Sequence, residues 1–352
     1  MIRIIRIAII GILFSAISGI AMAFWFSGPG GYVNVPLPQE ATSPTTQSPT
    51  LNTNTVFVLT ADSFVDDQGN PLNLRNTSFS HGMGVVTKQI ETFQKIAQSD
   101  PGLSSTILQI ATFDGKTLAI YDANGPIADP SKISPDSKRI VIFIADIQGD
   151  TVNKDTGKIS FSADSVYKTL TSALEALKKT NSPVLVNLSL SAGEPVQALQ
   201  DLMSSYPNAL FVASADGWPG NYAENLNNVV SVGSTSDPKN GATKNTVYAE
   251  GRVEVTNQET GLPETAYGRS FAVPQGVITA ALAWQQNGNL SAADVKNIII
   301  GPTLVATADS PATGELNPQA SVGLAKSFTP SSPPIGNVSF QPPTDLTFGF
   351  IW

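Results

Sequence analysis

The chain has 352 residues, a net charge of −8, 14% charged and 41% hydrophobic side chains. That length and apolar content suit one large or two ordinary domains, and the acidic balance argues against nucleic acid as a partner. Cysteine is absent and histidine occurs once. Disulfides, thiolate nucleophiles, Cys-based metal centres and His-rich zinc sites are thereby excluded.

Arg3 and Arg6 precede an uncharged run at 7–26, IAIIGILFSAISGIAMAFWF. A basic start, an apolar middle and an A-x-A triplet ending at Ala23 mark a secretory signal. The run, about 20 residues, is also long enough for an uncleaved anchor. Residues 1–26 are thus expected to be a signal peptide or an N-terminal membrane anchor, with the Arg pair held inside. The remainder is expected to be exported: secreted, periplasmic or outward-facing at the membrane. Residues 27–55, rich in Pro, Thr, Ser, Gln and Asn, read as a flexible linker.

From 56 to 302 two kinds of segment alternate. VFVLTA (56–61), TILQIATF (106–113), RIVIFIADI (139–147), PVLVNLSL (183–190), ALFVASA (209–215) and VVSVGS (229–234) are short apolar runs. Continuous apolar runs of this length suit strands buried on both faces. Between them, Val166, Leu170, Ala173, Leu174 and Leu177 recur at helical spacing behind Ser162 or Asp164 as cap. Ser291 with Asp294 opens a second helix as a capping box. The alternation predicts a three-layer α/β fold, a mostly parallel sheet with helices on both faces. Residues 114–138 read as an inserted loop, and the Pro/Ser-rich stretch 303–352 as an extended C-terminal appendage.

In such a sheet reactive groups gather at the carboxyl ends of the strands. Asp62 ends the first apolar run, within ADSFVD. His81 opens a helical segment, HGMGVVTKQIETFQKI, whose Val85, Val86, Ile90 and Phe93 face inward. Ser189, Leu190 and Gly193 lie in VNLSLSAG, at an extended edge. Ser270, in GRSFAVPQG, sits at the start of a helix apolar on nearly all sides, and Pro274 is tolerable only in its first turn.

These segments resemble the subtilisin-like serine proteases in chain order, Asp then His then Ser. DSFVD is similar to that family's D-S/T-G-x-D, HGMGVV to H-G-T-x-V-A, GRSFAVP to G-T-S-x-A-x-P and VASADG to A-A-G-N. The resemblance spans about 56–301. It implies a subtilisin-like fold and a serine endopeptidase working through an acyl-enzyme. Ser270 would be the nucleophile, His81 the base and Asp62 its orienting carboxylate. It also implies that an extended protein or peptide substrate pairs with the strand edge at Ser189, Leu190 and Gly193. No cofactor is required.

Departures leave a second reading open. Asp216 occupies the position of an oxyanion-donating amide, and an ionised carboxylate only accepts. Either the acid is protonated, or a backbone N–H acts alone, or Asn221 contributes. Phe64, Met83 and Arg269 also replace motif residues. The alternative is a weak or inactive pseudoprotease that binds a peptide or partner in the cleft. Asp146, Asp150 and Asp155 offer oxygen ligands for calcium, but at a spacing unlike an EF-hand. A solvated acidic loop is the preferred reading, and a membrane enters only through an uncleaved N-terminal segment.

Overall fold

The six apolar runs become strands of one sheet, each beginning and ending within two residues of its expected limits. The computed structural model describes residues 54–64, 81–113, 115–134, 136–147, 151–152, 159–180, 182–192, 194–215, 217–236, 245–256, 263–302, 314–330 and 347–349. The N-terminal segment 1–26 and nearly all of the linker lie outside them. Among the described residues no helix is long and apolar enough to cross a membrane.

In chain order the first elements are β1 (Thr55–Asp62), α1 (His81–Ser99), β2 (Thr106–Thr112), β3 (Thr117–Asp122), β4 (Gly125–Pro126) and β5 (Lys138–Asp146). Next come β6 (Thr151–Val152), β7 (Ile159–Ser162), α2 (Ala163–Lys178), β8 (Val184–Leu188), α3 (Gln197–Ser205), β9 (Ala209–Ser214) and β10 (Val229–Ser234). The last are β11 (Thr246–Ala249), β12 (Arg252–Thr256), β13 (Pro263–Tyr267), α4 (Val273–Gln286), α5 (Ala292–Ile300), α6 (Pro318–Ser327) and β14 (Thr347–Gly349). Nine strands form the main sheet in the order β11-β10-β9-β8-β1-β5-β2-β3-β4. Pairing is parallel from β11 to β2 and antiparallel at β3 and β4. β12 pairs β13, and β14-β7-β6 form a small third sheet.

Side chains alternate across the pleat. Leu210 and Val212 pack with α4, α5 and α6, whereas Ala209, Phe211 and Ala213 pack on the other face with α2 and α3. Each strand is therefore apolar throughout because it has two buried faces. This is the expected three-layer α/β fold, a mostly parallel sheet with helices on both faces. Helix caps follow the sequence signals: Ser162 caps α2, and Ser291 with Asp294 forms the reciprocal box on α5. α4 is buried on all sides over most of its length, from Val273 to Gln285, apart from Gln275. A Cβ at Gly276 would stand 2.9 Å from Val232 and 3.2 Å from Val212, so glycine there lets α4 lie directly on the sheet.

Two expectations are corrected. Residues 114–138 are not simply a loop: β3 folds back on β2 and β4 on β3, which lengthens the sheet by two strands. The stretch past 302 is not wholly an extended appendage. Glu315 bridges to Tyr248, and Leu316, Val322 and Ala325 join the core against α4 and α5. Burying those side chains holds a short helix that would be marginal alone.

The outer end of α6 is tied to the turn after α1 by Lys326 Nζ, 3.0 Å from Asp100 Oδ2. That hydrogen bond, and then the Gly102 N–H, hold the Asp100 carboxyl below the usual carboxylate range. A lowered acid pKa stabilises the fold above the ordinary value of about 3.9, and the contribution disappears as pH falls through the lowered value. Asp100→Asn is therefore expected to destabilise by about 0.2–1 kcal/mol at neutral pH, the range of an exposed pair. Denaturant titrations of variant and wild type should show this gap closing in strong acid.

Candidate active site

Asp62 closes β1 and is fully buried. Its Oδ1 accepts the Ser63 N–H at 2.7 Å, and the next N–H, of Phe64, donates to Asp146 Oδ1 at 2.8 Å. Asp62 and Asp146 are register partners on β1 and β5. Two carboxylates on adjacent strands thus fix the chain as it leaves the sheet. Phe64, where the motif has glycine, buries its ring with Val86 and Ile110.

α1 begins on top of this turn. The Gly82 N–H donates to Ser63 O at 3.1 Å, and a Cβ at Gly82 would stand 2.5 Å from that oxygen and 2.9 Å from the Phe64 ring. Only a bare Cα lets the helix start so close to the strand end. His81, the first residue of α1, is 2% exposed. Gly82→Ala is expected to push this helix start away from Asp62 and lower any Ser270 reactivity by about 100-fold, the usual cost of an ångström of misplacement. Active-site labelling rates measured beside a thermal melt check it, with the rate falling further than stability accounts for.

The imidazole Nδ1 lies 2.9 and 3.0 Å from the two Asp62 carboxylate oxygens, and Nε2 lies 2.8 Å from Ser270 Oγ. A carboxylate accepts, so Nδ1 is the donor and Nε2 presents its lone pair to the hydroxyl. Phe271, buried with Val85 and Val253, sets its ring 5.6 Å from the imidazole and walls that side off from water. Ser270, 8% exposed, sits in a 3-10 turn at Arg269–Phe271 that runs into α4. The helix proper begins three residues later, within the few residues of Ser270 that were expected, with Pro274 in its first turn. The first backbone N–H groups of such an opening turn have no partner within the helix.

The other expected site residues fall differently. Ser189 and Leu190 are 1% and 2% exposed. The Ser189 hydroxyl donates to Ser270 O at 2.9 Å, and Leu190 packs into the core beneath α2 and α3. Neither side chain faces a cleft, so any peptide contact along this edge runs through main chain. Just beyond, Ala192 and Trp218 exchange backbone hydrogen bonds at 2.6 and 3.1 Å. Gly193 and Asp216 lie outside the described residues. Asn221 lies in the 3-10 segment Gly220–Glu224, its N–H donating to Gly217 O. Of the acids weighed for calcium, Asp146 is engaged by Phe64, while Asp150 and Asp155 lie outside the described residues. Among the described residues no cluster of three His, Asp or Glu side chains is placed to hold a metal ion.

Sequence reasoning missed Thr60, Gln89 and Asn187, all fully buried. Gln89 Nε2 donates to Thr60 Oγ1 at 3.0 Å, and Asn187 Nδ2 to Ser189 Oγ at 3.0 Å. Their signal was available: each is a polar residue inside an apolar run or on an inward helix face, and buried polar groups are bonded.

No family profile matches the chain, and no curated protein does. Solved structures of similar architecture include the prenylagaramide maturation protease PagA, at 16% identity over 78% of this chain and 94% of that one, TM-score 0.47. The self-cleaved protease domain of PatA is 19% identical over 77% of this chain and 97% of its own, TM-score 0.45. The A-subunit of the AB5 toxin from E. coli is 14% identical over 78% and 94%, TM-score 0.48. Likeness at this level assigns no family. The membership among subtilisin-like serine proteases that the motifs implied is therefore corrected: the chain's family is unresolved. The physical reason is that a few short motifs specify local backbone around three side chains and leave most of the chain unconstrained.

Proposed function

We propose that the protein is a serine endopeptidase that hydrolyses peptide bonds of a protein or peptide substrate. The observation that carries this reading is the buried, hydrogen-bonded line from Asp62 through His81 to Ser270, with Nε2 2.8 Å from Oγ. Nucleophile, base and orienting group within hydrogen-bond reach are the signature of an activated hydroxyl.

Ser270 Oγ attacks the substrate carbonyl carbon as its proton passes to His81 Nε2. The carbonyl oxygen becomes an oxyanion facing the Ser270 N–H at the opening of the 3-10 turn. Asp62 holds Nδ1–H throughout and stabilises the imidazolium. The imidazolium gives the Nε2 proton to the leaving amine, the C–N bond breaks, and an acyl ester remains on Oγ. Water then attacks that ester, losing a proton to Nε2, and the acid departs as Oγ takes the proton back. Export belongs to the same proposal and is supported by Arg3, Arg6 and the uncharged run at 7–26.

A fluorophosphonate probe, which phosphonylates an activated serine, tests the reading. Wild-type protein should be labelled at Ser270 and cleave an unfolded protein substrate, and Ser270→Ala should do neither. A folded wild-type chain that resists the probe would overturn it.

A further inference from the structure

We infer that Asn187 and Ser189 form a positioning relay that holds the main chain of Ser270 in register with His81. The inference rests on the proposed serine chemistry. Asn187 belongs to β8, a central strand, and Ser189 follows one residue past its end. The relay runs Asn187 Nδ2–H to Ser189 Oγ at 3.0 Å, then Ser189 Oγ–H to Ser270 O at 2.9 Å. Asn187 and Ser189 are at most 1% exposed, so nothing in solvent competes for these bonds. Ser270 itself sits in a short 3-10 turn, a conformation with poorer hydrogen-bond geometry than an α-helix. An external donor on its carbonyl fixes where that turn, and hence Oγ, stands relative to the sheet.

The anchoring point gives the relay its meaning. Asn187 is the register partner of Thr60 on β1. Thr60 exchanges side-chain hydrogen bonds with Gln89 on α1, the helix that begins with His81. Two residues further along β1 lies Asp62. One rung of the sheet therefore ties down the base helix on one side and the nucleophile turn on the other, next to the carboxylate between them. Ser189 is a positioning residue here: it contacts the backbone of Ser270, with its side chain buried away from any substrate.

Inactivation kinetics with a fluorophosphonate separate affinity (KI) from chemistry (kinact). Ser189→Ala is expected to lower kinact about 10- to 100-fold, the cost of a misplaced nucleophile, with KI within about twofold of wild type. Ser189→Thr keeps the hydroxyl and should restore most of the rate. Should Ser189→Ala fail to fold, Ser189→Cys, close in volume but a weak donor, is expected to show the same loss. A wild-type kinact in Ser189→Ala, or a change confined to KI, overturns the relay while leaving the peptidase reading intact. An unlabelled wild type overturns the peptidase reading instead. A readout independent of activity then remains, because the chain has a single imidazole. The His81 Nε2 nitrogen resonance should move in Ser189→Ala and return in Ser189→Thr, and an unmoved resonance overturns the relay.

Discussion

Ser270→Ala is expected to reduce turnover of a peptide substrate by about a millionfold while the protein unfolds within about 1 kcal/mol of wild type. The stability expectation follows from what the hydroxyl does: its hydrogen-bond partner is His81 Nε2, and the truncated side chain leaves no large void at a residue already touching solvent. The activity expectation follows from the proposed triad, whose members would work as one unit. Without Oγ no covalent bond forms, so the imidazole and its carboxylate have nothing to activate. His81→Ala should fall to the same floor, and the double variant no lower, since removing a second member of a broken unit costs little. The residual rate, about a thousandfold above water, would come from backbone donors and substrate binding. Active-site titration together with rates on purified variants checks all three. Retained activity in His81→Ala would place the acid–base chemistry on a group other than histidine, because no second imidazole exists in the chain.

Asp62→Asn is the second large effect, a loss of about ten-thousandfold. The carboxylate accepts from two directions, from the Ser63 N–H at 2.7 Å and from Nδ1 at 2.9 and 3.0 Å. An amide has one oxygen. With that oxygen retained by the backbone N–H, the amide NH2 turns toward the imidazole and donates to Nδ1. The ring proton then moves to Nε2, where the lone pair is needed, and the base faces Ser270 Oγ with a hydrogen in the way. Volume and shape hardly change, so folding persists while chemistry stops. Nitrogen NMR of the single imidazole reads the tautomer directly: a protonated Nδ1 in wild type, a protonated Nε2 in the variant. A variant with the wild-type tautomer and full activity would remove Asp62 from the site.

The parts of the fold legible in the sequence share a physical property: their signals are local. Runs such as 139–147 are apolar throughout because β5 has two covered faces, and the Ser291/Asp294 box sits three residues apart wherever it occurs. The convergence of Asp62, His81 and Ser270 was legible for a similar reason, since each lies at a strand end or near a helix start with an identifiable pattern around it. What escaped depends on distant partners. β3 has half-exposed residues and gains its place by pairing with β2. α6 carries Pro318 and Gly323 amid polar sequence and exists because Leu316, Val322 and Ala325 are buried on α4 and α5. The Ser189 bond to Ser270 spans 81 positions and the Thr60 bond to Gln89 spans 29; no window of sequence contains either pair. Family membership escaped in the opposite direction, because strong local motifs said nothing of the chain between them.

The late position of α6 bears on how the molecule is made. Synthesis runs from N to C terminus, and domains complete only when their last packed element has emerged. α4, which carries the Ser270 turn at its head, is covered on one side by α6, so its burial waits until residue 325 has left the ribosome. A chain halted after 302 would hold Asp62, His81 and Ser270 but would leave a face of α4 wet. Between the emergence of Ser270 and that of Ala325, nascent chains therefore hold Asp62, His81 and Ser270 while the scaffold that aligns them is unfinished.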